Sequence, residues 1–436
     1  MTSQTIPPLA AGNGRRAWIM LVVITTLTTA GMTVVLPVLP FVVLRYVSNP
    51  ADLAVWVGIL ETVNALCAFL MAPFLGRLSD RFGRRPVIIV AGFGAAVGFV
   101  LFGLGGALWV LLLGRVVQGV TAGDLPALFA YLADITPPEK RARRFGVLGA
   151  TAGIGTMVGP ALGGTLAAID LDLPVFVTAA LAATVAVLSI SLLPESLAPE
   201  KRIASLDLRQ VHPFAVFRGV LRRPELRALM LGLVLVGLPF GFFVNNFSVL
   251  GLDAIGATPT AIGLLTACVG VIDIVIQGAL LGLLLPRIGE RGVVVGGIVT
   301  QAVGLVALAA VASVLAEPWL FAVGALTLAA GQGAATATMD GLLSTAVGDD
   351  EQGWIAGAAQ SVNAAVGAVA PLLAGLLYAH IAHASPYVLG AVLMLAAAVV
   401  IGRARFASPS RLGASAESDD GRGVGRDAEV RPTLQP

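Results

Sequence analysis

Four carboxylates interrupt the long apolar runs of this 436-residue chain: Glu61, Asp124, Asp273 and Asp340. A carboxyl on such a run must be paired, wetted or protonated, so each is a candidate for moving a proton or for facing a charged ligand. Arg115 carries the opposite charge on an equally apolar stretch. Its insertion costs ~2.5–3.5 kcal/mol on translocon scales, and it needs a buried partner or a wet cavity. Gln118, Asn245, Asn246, Gln332, Gln360 and Asn363 lie on the same kind of run and are candidate linings of a substrate cavity. Packing or ion-pair roles are the alternative reading for every one of these groups. Enzyme chemistry has little support: there is no phosphate-binding lysine loop and no nucleophile elbow, and His212, His380 and His383 fall in loops. Cys67 and Cys268 each sit inside an apolar run, which offers neither a disulfide framework nor a metal site, and no metal or cofactor is expected.

The elements that position these groups are membrane spans. The chain is 57% hydrophobic and only 12% charged, with a mean hydropathy of +0.92, against about a quarter charged in soluble proteins. Basic residues are spread over separate loops, so no nucleic-acid partner is expected. Only two lysines occur, Lys140 and Lys201, and with the abundant Ala, Gly and Val this points to a GC-rich bacterial coding sequence. Runs long enough for ~20-residue helices lie at 17–44, 54–75, 86–105, 107–132, 145–168 and 174–193, and again at 228–250, 261–284, 292–314, 318–346, 353–378 and 385–402. Residues 1–16 form an N-terminal tail, 194–227 a polar arginine-rich linker, and 403–436 a Gly/Ser/Asp/Arg-rich tail expected to be disordered. The first run is far longer than a signal-peptide core and reads as a retained span. The expected fold is all-α, twelve transmembrane helices in two pseudo-symmetric halves of six, 17–193 and 228–402.

With twelve spans, the basic residues Arg15, Arg16, Arg77 to Arg85, Lys140 to Arg144, the linker arginines, Arg287 and Arg291 share one side. That side is expected to be cytoplasmic, as are both termini, in a bacterial inner membrane. The acids match internally as well. Asp134 follows Asp124 by ten residues and Asp350 follows Asp340 by ten, each pair ending a span. Ten residues at 1.5 Å raise Asp124 and Asp340 ~15 Å above that boundary, near the middle of a ~30 Å hydrocarbon layer.

Between the second and third spans lies Gly76-Arg77-Leu78-Ser79-Asp80-Arg81-Phe82-Gly83-Arg84-Arg85, with Pro86 next. Gly76 and Gly83 are expected to let the chain turn, and the arginines to hold the loop among anionic headgroups. A second copy, Gly282 to Arg291, keeps both glycines and two basic positions but has Pro286 where the first has Asp80. The first copy resembles the signature loop of the major facilitator superfamily. That resemblance implies a gate formed by Gly76, Asp80, Arg81, Gly83, Arg84 and Arg85, with Asp80 meeting the start of the eleventh helix. Asp349, Asp350 and Glu351 precede that helix, where negative charge suits the dipole; they either face Arg81, Arg84 and Arg85 or are merely solvated. It also implies that the fourth and tenth helices line a central cavity, so that Asp124 and Asp340 face it from opposite sides.

Gly146, Gly155, Gly159, Pro160, Gly163 and Gly164 on the fifth span resemble the antiporter motif of drug-exporting members of the superfamily. Small residues at that spacing permit close helix contact and the Gly-Pro pair a bend. Arg115-Val116-Val117-Gln118-Gly119 resembles an element implicated there in proton transfer, and Leu36 to Pro40 a proline motif that shapes the first helix. The branch most resembled is that of the tetracycline exporters, through Ala133 to Thr136, Arg141 to Arg143 and Asp349 to Gly353. Where that branch carries acids in its first, third and ninth spans this chain has Thr28, Val97-Gly98 and Gln301, so the substrate does not carry over. The reading is a proton-coupled antiporter exporting small amphipathic molecules, with protons and a lipid bilayer as its other partners and a monomer as the expected state. A facilitator or symporter of a polar metabolite, and a transport-dead sensor or scaffold, are the alternatives.

Overall fold

A computed structural model describes residues 11–203, 224–348 and 351–403. The C-terminal tail beyond Arg403, most of the linker, and Asp349 with Asp350 lie outside the described residues. All regular structure among the described residues is helical, with no strand. In chain order the helices are α1 (Ala11–Val34), α2 (Leu39–Leu44), α3 (Leu53–Phe82), α4 (Arg84–Leu104), α5 (Leu108–Thr121), α6 (Asp124–Ile135), α7 (Pro138–Ala167) and α8 (Leu173–Leu192). After the linker come α9 (Pro224–Ile255), α10 (Pro259–Val275), α11 (Leu281–Ser313), α12 (Pro318–Thr345), α13 (Gln352–His380) and α14 (Ser385–Arg403).

Twelve crossings follow from these lengths. The apolar stretch Pro259–Ser313 has 55 residues, ~80 Å of helix at 1.5 Å per residue and more than two hydrocarbon thicknesses. It reverses at Gly289, whose φ of 69° only glycine adopts without strain. The first and fourth spans are each two helices, and proline supplies the reason. The ring of a proline clashes with the carbonyl four residues back. Pro40 therefore opens the chain near Leu36, between α1 and α2, and Pro126 opens it near Ala122, between α5 and α6.

Among the described residues the halves meet chiefly toward the end away from the signature loop. Three turns into α3, Thr62 Oγ1 accepts the N–H of Leu372 on α13 at 3.1 Å. At the end of α7, the carbonyl of Gly164 accepts Thr260 Oγ1 of α10 at 2.8 Å. The carbonyl of Leu36, freed by the break at Pro40, accepts Ser248 Oγ from α9 at 3.3 Å. Toward the signature loop the halves part: Gly146, Gly149 and Gly153 on α7, and Gly278 and Gly282 opposite, have open space where a Cβ would stand. Among the described residues the bundle is thus more tightly closed between the halves at one end and more open at the end that carries the basic loops.

Candidate functional site

The signature loop is tighter than its sequence suggests. Helix α3 continues through Gly76 to Phe82, and Gly76 has nothing packed against it, so the turn belongs to Gly83 alone, at φ 108°. That corrects the expectation that both glycines turn the chain. A helix needs the left-handed region only at its last residue, and Gly76 lies too far inside the hydrogen-bonded ladder. Arg84 is the hub of the loop. Its guanidinium pairs with Asp80 at 2.5 Å and with Asp134 at 3.2 Å, both in the same half. Ser196 Oγ also donates to Asp134 Oδ2, at 2.9 Å. Arg85 turns away, donating to the carbonyls of Ser189 and Ile190 in the last turn of α8. Arg81 lies over the ring of Phe82, 5.2 Å from its centroid. Asp80 is held by Arg84 within the first half, while Asp349 and Asp350, on the other side of the expected latch, lie outside the described residues.

Glu195 is the residue that sequence reading missed. Its Oε1 accepts the backbone N–H of Arg84 at 2.9 Å and its Oε2 that of Arg85 at 3.2 Å, while Ser196 and Leu197 donate to Oε1 from its own turn. A carboxylate on the first N–H groups of a helix satisfies donors with no intrahelical partner and complements the dipole. The only hint in sequence is an acid just after the sixth span, 111 positions from the helix it caps.

A cavity of about 470 Å³ lies between the halves. Leu36, Pro40, Val57 and Glu61 line it from the first half, and α9, α12 and α13 form the rest with Phe240, Val244, Asn245, Gln332, Thr336, Met339, Asp340, Asn363 and Pro371. Most of this wall is apolar. Its polar groups are rich in acceptors: Asn245 Oδ1 and Gln332 Oε1 are buried with no protein partner, and Asp340 has none among the described residues. Glu61 faces the cavity and also holds Arg115, at 2.6 Å. Arg115 is 5% exposed, donates to Gln118 Oε1 at 3.1 Å and lies 5.0 Å from the centroid of Phe102.

The remaining candidates lie elsewhere. Asp124 does not face this cavity opposite Asp340. The break forced by Pro126 makes it the first residue of α6, 8% exposed, where its carboxylate takes the N–H of Leu125 at 3.0 Å. Asp273 accepts Gln277 Nε2 at 2.8 Å and leans on Gly333, beside a π-helical turn over Ile276–Leu280. Asn246 is fully buried and spans from Asn245 to the carbonyl of Ala374, and Gln360 is exposed on α13.

The glycines of α7 serve two neighbours. A Cβ at Gly155, Gly159 or Gly163 would overlap Thr29, Thr33 or the backbone of Val34 on α1, inside the same half. One at Gly164 would meet Pro259 and Gly263 of α10, in the other half, and the carbonyl of Pro160 abuts Gly263 in return. Gly146 contacts nothing. The motif is therefore a packing seam for the first helix that ends in a contact between halves.

The chain matches the family profile described as Major Facilitator Superfamily over residues 21–256 and 229–432. It is 33% identical over 373 residues to the class C tetracycline resistance protein of Escherichia coli, covering 85% of this chain and 92% of that one. Multidrug resistance protein 2 of Bacillus subtilis (strain 168) is 29% identical over 278 residues, 63% of this chain and 68% of that one. Among solved structures, the human organic anion transporter MFSD10 (TETRAN) superposes with a TM-score of 0.65 at 21% identity, over 89% of this chain and 99% of that one, a likeness of fold. The paired halves, the signature loop and these similarities have one conclusion: this chain belongs to the major facilitator superfamily, in the company of its tetracycline and multidrug efflux members.

Proposed function

We propose that the protein is a proton-coupled exporter of small amphipathic, drug-like molecules, working by alternating access in a bacterial inner membrane with both termini in the cytoplasm. The observation that carries this reading is the wall of the central cavity, apolar over most of its area but bearing the unpaired Asp340 and a Glu61 engaged by Arg115. Such a wall takes an apolar body and a polar or cationic donor together. The two halves, 17–193 and 228–402, act as rocking units joined by the linker 194–227. On this reading the basic loops lie in the cytoplasm, so the open end faces the side from which an exporter loads. One chain encloses the cavity, so a monomer suffices.

In the mechanism, a substrate donor approaching Asp340 replaces a proton there. Release of that proton and closure of the signature end then couple export to the inward proton gradient. The Arg115 guanidinium pairs with Glu61 at the cavity wall, and that pairing can be traded for substrate as the halves move. The test is uptake of candidate amphipathic cations into inverted vesicles with the lumen made acid. Accumulation that a protonophore collapses is the expected result. Equilibration without the gradient would make the protein a facilitator, and binding without movement a sensor.

A further inference from the structure

A second cavity, about 560 Å³, opens on the outside of the first half at the signature end. Three helix ends enclose it: the start of α1 with Arg16, Ile19 and Met20, the second residue of α4, Arg85, and the last turn of α8 with Ile190 and Leu192. We infer that this groove is a site for the phosphate headgroup of an anionic phospholipid, held between Arg16 and Arg85 with its glycerol and upper acyl chains on the apolar wall.

The chemistry of the two arginines supports this assignment. Arg16 is exposed and has no hydrogen-bond or ion-pair partner among the described residues. Arg85 uses Nε and one Nη2 hydrogen on the carbonyls of Ser189 and Ile190. A guanidinium has five N–H donors, so three remain for an anion, and those two bonds fix the plane of the fork. Glu195, next to the lining residue Pro194, spends both oxygens on the N–H groups of Arg84, Arg85, Ser196 and Leu197, and one carboxylate against the two arginines leaves the groove net positive.

Depth and surroundings favour a lipid over a free anion. The arginines stand at the ends of membrane-crossing helices, the level of headgroups. Trp18, two residues after Arg16, lies 5.4 Å from Arg144 in a cation–π contact, and Trp is enriched at that interface. Ile19, Ile190 and Leu192 are 45%, 45% and 52% exposed on the outer face, which a soluble phosphate would leave bare and an acyl chain would cover. Basic pockets between transmembrane helices on the cytoplasmic side have this character generally. Because Arg85 belongs to the signature loop, the lipid would brace that loop against α8.

The site is tested by native mass spectrometry of the full-length protein, with phosphatidylglycerol and phosphatidylethanolamine offered together, and with inorganic phosphate and glycerol phosphate as competitors. Phosphatidylglycerol should be retained in preference, and Arg16→Gln should lower its occupancy about fivefold, the worth of one basic residue at an anionic headgroup. Arg15→Gln, next in the chain but outside the groove, should not. Ile19→Trp, which fills the groove and keeps both charges, should exclude the lipid as well. Equal loss from Arg15→Gln would mean diffuse attraction, and unchanged retention by both Arg16→Gln and Ile19→Trp would place the lipid elsewhere. Displacement by millimolar phosphate or glycerol phosphate would make it a soluble-anion site. Each of those three results overturns the inference.

Discussion

The carboxylate of Glu195 accepts the backbone N–H of Arg84 at 2.9 Å and, with its other oxygen, that of Arg85 at 3.2 Å, so the end of the sixth span closes the first turn of the third. Loss of a cap of this kind costs ~1 kcal/mol, with up to ~1 more from the helix dipole. Glu195→Ala is expected to destabilise the purified protein by about that sum in thermal unfolding and to slow transport in proteoliposomes, since the signature loop loses its anchor. Glu195→Gln, with one acceptor oxygen in place of two, should fall between Ala and wild type. Wild-type turnover by Glu195→Ala would detach the cap from the gate.

The two faces of α7 give a second contrast. Gly159→Leu would drive a side chain into Thr33 of α1 and overpack the half by ~1–3 kcal/mol. Its expected signature is low membrane abundance. Gly164→Leu strikes Pro259 and Gly263 across the halves, so the half still folds while the sealed end cannot close. With Cys67 and Cys268 replaced and a cysteine placed at Val244 in the cavity wall, labelling by an impermeant thiol reagent from the periplasmic side should rise in Gly164→Leu. It should not rise in Gly159→Leu.

Breaking one member of the Glu61–Arg115 pair leaves the other buried. Truncation of one partner in such a pair costs ~3–5 kcal/mol when fully buried, and somewhat less here because Glu61 borders a cavity. Glu61→Gln should therefore lower the stability of the folded protein, and Glu61→Gln with Arg115→Gln should restore much of it. A double-mutant cycle on thermal unfolding measures the coupling, and additive losses would argue against a functional pair. Transport by the double variant reports whether the charges also serve the proton.

Asp340 and Asp124 separate in a proton assay. Asp340 stands in the cavity wall without a partner, whereas Asp124 ends a helix break. Substrate-induced proton release from purified protein should disappear in Asp340→Asn and persist in Asp124→Asn, whose amide oxygen can still accept the N–H of Leu125. Release that survives in Asp340→Asn would move the proton to Glu61 or Asp273.

Sequence by itself determined the number of crossings, the two halves, their end bearing basic loops, and the polar groups set among apolar ones. Those features are periodic or local: an apolar run of fixed length must become a membrane helix because hydrocarbon offers its backbone no partner. Spacing also carried the glycine seam of α7, since Gly155, Gly159 and Gly163 recur every four residues and share one face. Only the tertiary structure decided which neighbour each group meets. Glu61 meets Arg115 from 54 positions away, Glu195 reaches Arg84 across 111, and Asp124, matched in register to Asp340, is turned out of the cavity by the break at Pro126. A helix periodicity says which residues share a face but not what that face packs against. The rotation of each helix is settled by side-chain packing with partners distant in the chain, and a single proline is enough to change it.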